Sequence, residues 1–423
     1  MDSPQDSDNK SPLSFSRTSS NTNANTNTDI SQEPDILSHP KAADIIDACK
    51  WRDISRLRSL AEAHGGFLSD TLRKQAWPIL LGLDAPSDDK DDLDLASAQD
   101  DYSEWKQLPR HRDEDQVQLD VNRSFIYYPN NIVRANAVPD QSDAELSLRK
   151  SELSSLITEV LRRYPYLCYF QGYHDISQVL LLVLAPAWRA RVLARLSVLR
   201  IRDFMLPSFG PTTAQLRLLP DILHAADRKL RRHLAGVEPF YALAGTLTMY
   251  AHNIETYQDI ARLFDVFLAR EPVFTVYVFA QIILDRRNEI FEIDEPDMLH
   301  VILGKVPTKM DLDELIIKSA ALFEQHPPET LSYWRHISNF SALKTARDIE
   351  SCAKQTMEEG SELFEKQVNE LHWQEVRDRI KLALWHYRRP VRTVGMALVV
   401  GALAFYLRRN PILVHRIASF FSR

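Results

Sequence analysis

Tyr169-Phe-Gln-Gly-Tyr-His-Asp-Ile176 joins two helical patterns, and the interpretation of the chain starts from this stretch. Pro165 stops the helix before it, because proline cannot continue a helix, and an apolar helix over residues 176–184 follows it. Gly172 lies at the joint, where the backbone needs conformational freedom or a close approach. The stretch therefore predicts a helix-loop-helix corner that displays Gln171. On these residues alone, turn chemistry is the ordinary explanation for a glutamine beside a glycine.

A second block lies upstream of this corner. Val117-Gln-Leu-Asp-Val-Asn-Arg123 has the form hydrophobic-x-x-Asp-x-x-Arg. A helical turn would place Asp120 and Arg123 on one face. On these residues alone, a local ion pair of small energy is the ordinary interpretation. The alternative is that Asp120 holds the local geometry while Arg123 reaches a phosphate.

A third block, the earliest in the chain, is Arg73-Lys-Gln-Ala-Trp77. It lies on a predicted amphipathic helix. We expect Trp77 in the core and Arg73, one turn before it on the same face, in a scaffolding role. Much later in the chain, Arg262 and Asp265 stand three residues apart in a further helical pattern, which predicts an intrahelical ion pair.

Together these blocks resemble the TBC domain of Rab GTPase-activating proteins, which shows R-x-x-x-W, I-x-x-D-x-x-R and Y-x-Q-G-M in this order. Each motif is short, but three of them in order make the resemblance specific, and it covers roughly residues 60–340. Two positions depart from the pattern, since Val117 replaces isoleucine and Tyr173 replaces the usual methionine. The resemblance implies an all-α, two-lobed helical fold, and the sequence contains no long alternating strand pattern that would argue against it.

The resemblance implies that this protein accelerates GTP hydrolysis by a Rab GTPase in its GTP form and has no hydrolytic activity of its own. Arg123 would be an arginine finger and Gln171 a glutamine finger; the supporting motif residues would be Asp120, Tyr169, Gly172, Arg73 and Trp77. Arginine stays charged when desolvated, and a glutamine amide accepts from water while donating to phosphate. GTP and Mg²⁺ would belong to the Rab, so we expect no cofactor. The alternative is a catalytically inactive module that binds a Rab or another partner.

Composition restricts the other functional classes. The 423 residues are 44% apolar, which suits one large or two ordinary globular domains, and the formal net charge is −7. This mildly acidic balance argues against nucleic acid as a partner. Cys49, Cys168 and Cys352 are few and far apart, which indicates reduced thiols rather than a disulfide framework or a zinc cluster. His174 beside Asp175 has no nucleophile nearby in sequence, so we expect a hydrogen-bonded loop histidine.

Four regions are expected along the chain. Residues 1–40 are polar with few apolar positions, which predicts a disordered tail. Residues 41–340 form the TBC domain, in which the acidic segment 84–115 is expected to be a solvated loop. Residues 341–387 are highly charged with scattered apolar positions, which predicts an amphipathic helical stalk with Gly360 as a candidate interruption.

Residues 388–423 are predicted to anchor the protein to a membrane. Residues 393–407 are uncharged and mostly apolar between arginines; as a helix they rise about 22 Å, short of a ~30 Å hydrocarbon core. Snorkelling arginines and a thinner ER bilayer narrow this gap, and residues 412–421 are expected to be interfacial. A buried soluble helix and a helix pair that dips into one leaflet are the alternatives.

A TBC domain with a C-terminal membrane segment, and with Tyr-His-Asp after the Gln-Gly pair, is similar to the ER-anchored subfamily of TBC proteins. This similarity implies a Rab of the early secretory pathway as partner, and a GAP domain that faces the cytosol from the membrane of the endoplasmic reticulum or an early secretory compartment. An ER-shaping or tethering protein, with the tail as its functional part, is the third interpretation.

Overall fold

The computed structural model describes most of the chain, namely residues 39–83, 104–126, 128 and 139–410, with the side chains of 139–142 and 387–393 left out. Within these ranges the chain forms α-helices with short 3₁₀ and π turns, and no β-strand. The all-α prediction is therefore confirmed. The expected disordered tail falls outside the described residues except for its last two positions, and helix α1 begins at the second of these, Pro40.

The helices of the N-terminal half end in a π turn, Leu196–Arg200. They are α1 (Pro40–Trp51), α2 (Ile54–Glu62), α3 (Asp70–Leu80), α4 (Glu114–Val121), α5 (Pro139–Arg163), α6 (Tyr173–Val183) and α7 (Pro186–Arg195). Both α1 and α7 begin with proline, which costs no hydrogen bond there because the first helical N–H has no partner within the helix.

The C-terminal half continues with shorter helices and ends in one long helix. They are α8 (Gly210–Leu216), α9 (Leu218–Ala226), α10 (Arg228–His233), α11 (Leu243–Leu247), α12 (Tyr257–Ala269), α13 (Phe274–Asp285), α14 (Arg287–Phe291), α15 (Pro296–Leu303), α16 (Leu312–Gln325), α17 (Ala342–Thr345), α18 (Ile349–Lys354) and α19 (Met357–Arg409).

The helices share one continuous apolar core. Helix α5 packs against α4, α6 and α7, helix α12 packs against α2 and α3, and α13 packs against α9 and α16. At the contact of α3 with α12, the rings of Trp77 and Phe264 lie 6.0 Å apart. Long-range packing therefore brings the first motif block onto the helix of the last one. The expected division into two lobes stays a prediction.

The predicted pair between Arg262 and Asp265 is wrong. Asp265 is fully buried and accepts hydrogen bonds from Arg73 Nε at 3.0 Å and from Trp77 Nε1 at 2.9 Å. Arg262 pairs instead with Asp313, at 2.8 Å. Spacing along a helix shows which side chains share a face, but here helices from elsewhere in the chain supply closer partners. Burial acts to lower the pKa of Arg73, but its bonds to Asp265 raise that pKa overall.

The acidic segment is only partly described, because residues 84–103 lie outside the described ranges. In the remainder, residues 104, 106–110 and 112 are exposed, as a solvated loop predicts, whereas Trp105 and His111 are buried. Trp105 is 7% exposed, and the guanidinium of Arg162 lies 5.6 Å from its ring centre. Helix α4 begins at Glu114, whose carboxylate accepts from Arg162 Nε at 2.7 Å. Trp105 and Glu114 therefore fasten this exposed segment to Arg162 on α5.

Helix α19 runs through Gly360 without a break, so the candidate interruption is wrong. Glycine is needed there for close packing, since a Cβ would lie 2.5 Å from Cγ1 of Val198. The first turns of α19 pack back on the domain, and Phe364 is 3% exposed. From Trp373 onward the helix leaves the core, and its apolar side chains are mostly exposed. The remaining length to Arg409 rises about 55 Å.

The last described turns of α19 carry a dense set of exposed apolar side chains. These are Val394, Met396, Leu398, Val399, Val400, Leu403, Phe405 and Tyr406, each more than half exposed. Within a single chain these side chains are exposed, so the alternative of a buried soluble helix is wrong for this part of α19. Among the described helices, none carries an apolar run long enough to cross a membrane. The predicted interfacial stretch 412–421 lies outside the described residues.

Candidate functional site

Arg123 and Gln171 line the same cleft. The cleft has a volume of about 630 Å³, and its walls come from the turn after α4, the start of α6, and the α11 region. Most of its lining is apolar, and its polar lining residues include His174, Asp175 and His252. The fold therefore brings together two side chains that are separated by the whole of α5.

Arg123 is held at the cleft by a buried carboxylate. Its Nη2 donates to Oδ1 of Asp120, which is fully buried at the end of α4. Tyr169 Oη donates to Oδ2 of the same carboxylate at 2.9 Å, and Gln116 Nε2 donates to Oδ1 at 3.2 Å. The Arg123 side chain keeps 63% of its surface exposed. Most of its five N–H donors therefore remain available to a ligand.

The turn that carries Arg123 is fixed by a backbone contact with α6. Arg123 N donates to Asp120 O at 3.0 Å as α4 ends. Two residues on, Phe125 adopts φ +63°, a left-handed conformation that is costly for a bulky side chain. Its N–H donates to Oε1 of buried Gln178 at 3.1 Å. This bond offsets part of the backbone strain, and it ties the arginine turn to the helix that follows Gln171.

Gln171 lies at the N-terminal end of α6, and its side chain is exposed. The next residue, Gly172, has φ +104°, and a Cβ there would lie 2.6 Å from Cγ2 of Thr248. On the other side, Tyr169 N donates to Oδ2 of Asp113 at 2.9 Å. Glycine is therefore required at this corner for two reasons, its backbone conformation and the approach of the α11 region. The result is a short fixed loop with Gln171 at its tip.

Tyr173 occupies the position where the family pattern has methionine. It is fully buried, and its hydroxyl lies 2.6 Å from Ser197 Oγ, which is also buried. Its ring packs edge-on against Tyr169, with ring centres 6.0 Å apart. The substitution adds a buried hydroxyl, and Ser197 on the π turn provides the partner it requires.

A series of polar contacts extends across the cleft from the Asp120 carboxylate that holds Arg123. His174 Nδ1 lies 3.2 Å from Tyr169 Oη, and its Nε2 lies 3.2 Å from Asp175 Oδ1. The other oxygen of Asp175 lies 3.2 Å from Nδ1 of His252. His174 stands in the first turn of α6, so the expectation of a loop histidine is wrong, although it is hydrogen-bonded.

Burial and neighbouring charge shift the pKa values along this series of contacts. Burial, followed by the charge of Asp120, raises the pKa of the Tyr169 hydroxyl well above its usual range. Burial lowers the pKa of His174, although Asp175 and Asp120 oppose this effect. A hydrogen bond to Asp175 raises the pKa of His252.

The remaining motif residues lie elsewhere. Arg73 and Trp77 are buried around Asp265 on α12 and do not line the cleft. Sequence reasoning missed Gln178 and His252. His252 follows Asp175 by 77 residues, and no local pattern marks it. Gln178 stands two residues past the corner stretch that ends at Ile176, where it looks like an ordinary position of α6.

Comparison with known proteins gives a consistent result. The Rab-GTPase-TBC domain family matches residues 70–291. The chain is 33% identical over 303 residues to the GTPase-activating protein gyp10 of Schizosaccharomyces pombe, which covers 70% of this chain and 76% of that protein. It is 29% identical over 372 residues to TBC1 domain family member 20 of Mus musculus, covering 85% and 86%.

A solved structure shares the fold. The crystal structure of the Ypt/Rab-GAP domain of Gyp1p aligns with a TM-score of 0.50 at 16% identity, over 69% of this chain and 96% of that domain. At this identity the likeness concerns the fold alone.

Proposed function

Because the chain belongs to the TBC-domain family of Rab GTPase-activating proteins, we propose that it acts through two fingers, Arg123 and Gln171. The observation that carries this proposal is their position on one cleft, where both are exposed, Arg123 is held by the buried Asp120 carboxylate, and Gln171 precedes the buried Gly172. A bound Rab would present its GTP and Mg²⁺ to Arg123 and Gln171 in this cleft.

Arg123 would stabilise the charge that gathers on the phosphoryl oxygens in the transition state. An arginine inserted in trans is worth about 10³–10⁵ in rate, or roughly 4–7 kcal/mol of barrier. Its link to Asp120 orients the guanidinium before the Rab arrives, so less side-chain entropy is lost when it reaches the phosphate. The exposed surface of the guanidinium supplies donors in a planar fork that fits phosphate oxygens.

Gln171 would orient the attacking water. Its amide oxygen can accept from the water while its NH₂ group donates to a phosphate oxygen. Gly172 holds the loop in a conformation that other residues adopt only at a cost, which limits the movement of the neighbouring glutamine. Water orientation and charge stabilisation would then come from two different helix ends.

The test is GTP hydrolysis by a panel of purified Rabs with the wild-type chain, Arg123→Ala and Gln171→Ala. We expect one Rab or a small group to be accelerated strongly and each variant to lose most of the effect. Arg149→Ala, which removes an arginine paired with Glu145 on α5, is the matched control and should retain full activity. Measurable Rab binding without acceleration by the wild-type chain would favour the catalytically inactive module.

We also propose that the end of α19 attaches the protein to membranes of the early secretory pathway, with the GAP domain in the cytosol. The support is the set of exposed apolar side chains between Val394 and Tyr406, which a lipid surface would cover. Arg408 and Arg409 directly after them can reach lipid headgroups.

This second proposal is tested in cells by comparing the full chain with one truncated after His386. The full chain should fractionate with ER membranes, and the truncated chain should be released while purified samples of both accelerate the same Rab. Release of the full chain together with the truncated one would contradict membrane attachment. Loss of Rab acceleration in the truncated chain would instead favour a functional role for the tail itself.

A further inference from the structure

The α11–α12 loop, residues 248–256, follows a costly backbone path beside the cleft. Met249 has φ +48° and Tyr250 has φ +67°, so two consecutive residues with large side chains lie in the left-handed region. Such a conformation persists only where the surrounding structure imposes it, and it is common in elements that serve a site. The path places two polar side chains of the loop, Thr248 and His252, in the wall of the cleft.

Buried contacts impose this path on the loop. Tyr250 is fully buried, and its Oη donates to Thr275 O at 2.9 Å. Its ring stacks on Phe267, with the ring centres 5.5 Å apart. On the opposite side, Tyr128 Oη donates to Ala251 O at 3.1 Å. The loop is therefore fixed to the core on both sides of the strained residues.

This fixed loop contacts the turn of Gln171 at two residues. His252 Nδ1 lies 3.2 Å from Oδ2 of Asp175. Because a carboxylate only accepts hydrogen bonds, the ring must supply the proton of this bond. The second contact is at Gly172, where an added Cβ would lie 2.6 Å from Cγ2 of Thr248. Both contacted residues lie within four positions after Gln171.

The hydrogen bond from His252 acts on the backbone that leads to Gln171. Asp175 N donates to Gly172 O at 3.1 Å, so the residue whose carboxylate accepts from His252 also closes the first turn of α6. The side chain of Asp175 is 15% exposed, whereas that of His252 is 61% exposed. A ring this exposed contributes little to the core, so the effect of the bond falls on Asp175 and its turn.

We propose that His252 is a positioning residue for the glutamine finger, because its hydrogen bond to Asp175 holds the turn that displays Gln171. This inference rests on the proposed two-finger function. Thr248 limits movement of the same turn from the side of Gly172. Loss of the bond should lower the rate of hydrolysis more than the affinity for the Rab, since orientation of the attacking water depends on the placement of one side chain.

Two substitutions of His252 separate the hydrogen bond from the presence of a side chain. His252→Asn places an amide N–H close to the position of Nδ1, so it should keep the bond to Asp175. His252→Leu fills a similar volume and has no donor. Glu255→Ala is the matched control, because Glu255 is an exposed residue of the same loop that does not line the cleft.

The first experiment measures kcat and KM of the full chain for the GTP-loaded Rab that it accelerates. We expect His252→Leu to lower kcat about tenfold with KM within twofold, as the loss of a hydrogen bond to a charged group predicts. His252→Asn and Glu255→Ala should both stay within about threefold of the wild-type kcat. Equal kcat values for His252→Leu and His252→Asn, or a change in KM alone, would overturn the proposal.

A second measurement separates this inference from the two-finger function. Amide hydrogen exchange of the full chain without Rab, followed in peptides that cover residues 169–178, reports how firmly the turn is held. Exchange several-fold faster in His252→Leu, but not in His252→Asn, supports the hold on the turn even if no Rab is accelerated. Equal exchange in the two variants contradicts it even if Arg123 and Gln171 are both essential for acceleration.

Discussion

Asp265→Asn should destabilise the protein far more than a typical carboxylate substitution. Asp265 is completely buried and receives donors from Arg73 Nε at 3.0 Å, Arg73 Nη2 at 3.1 Å, Trp77 Nε1 at 2.9 Å and Phe67 N at 3.0 Å. Asparagine keeps the shape but removes the charge, and its NH₂ group faces donors. Arg73, which is 3% exposed, then retains a carboxylate partner only at Asp70.

The magnitude follows from the burial of both partners. Breaking a buried ion pair by removing one charge costs about 3–5 kcal/mol, because the other charge stays buried without compensation. The remaining bond from Arg73 to Asp70, at 2.9 Å, keeps the expected loss within this range. With about 2.1 cal/mol/K of unfolding entropy per residue over the 341 residues that the structure describes, Tm should fall by about 4–7 °C.

Thermal unfolding followed by circular dichroism measures this change. The matched control is Asp285→Asn, whose pair with Lys318 spans 3.1 Å with both side chains about 40% exposed. An exposed pair of this kind contributes about 0–1 kcal/mol, so its Tm should move by no more than about 1 °C. Adding Arg73→Met to Asp265→Asn should recover part of the loss, since the stranded cation is removed. Equal shifts for Asp265→Asn and Asp285→Asn would refute the reasoning.

Three further substitutions test the site and the long helix. Tyr169→Phe removes the bond to Asp120 and should lower kcat about tenfold, since hydrogen bonds to charged groups contribute about 1.5–3 kcal/mol. Tyr173→Phe is the control, which loses a buried hydroxyl and should keep its kcat. Equal kcat values for the two variants would contradict the role of Asp120. Gly172→Ala should cost about 1–3 kcal/mol through its positive φ and the clash at its Cβ, and should reduce Rab hydrolysis in parallel, so an unchanged Tm counts against the strain. Gly360→Leu should detach the first turns of α19, seen as faster amide hydrogen exchange there; protection equal to wild type would mean that the close contact is not needed.

The motif blocks were informative because each one is local. An arginine four residues before a tryptophan, a carboxylate three residues before an arginine, and a glutamine before a glycine each depend on spacing within one turn or loop. Helical periodicity predicts the helices themselves, because the apolar residues on one face of a helix must be buried. The all-α class and the membership of the TBC family therefore followed from the sequence, and the structure and the comparisons confirm both.

The sequence alone failed where the partner of a side chain is distant in the chain. Arg262 and Asp265 have the spacing of a helical pair, yet each has a closer partner on another helix, and nothing in the local pattern reports those partners. Gly360 looked like a break in a helix, whereas its lack of a side chain serves packing against Val198. A glycine gives the same local signal in both cases.

The sequence by itself determined the helices, the three motif blocks and the two candidate fingers, because these depend on spacing and residue type over a few turns. The tertiary structure decided which groups support the fingers. The Tyr169–Asp120 bond, the Asp175–His252 contact and the approach of Thr248 to Gly172 join segments whose contacts form only when the core closes. Burial in that core also sets the pKa of His174, and burial is a property of the packed molecule rather than of any stretch of its chain.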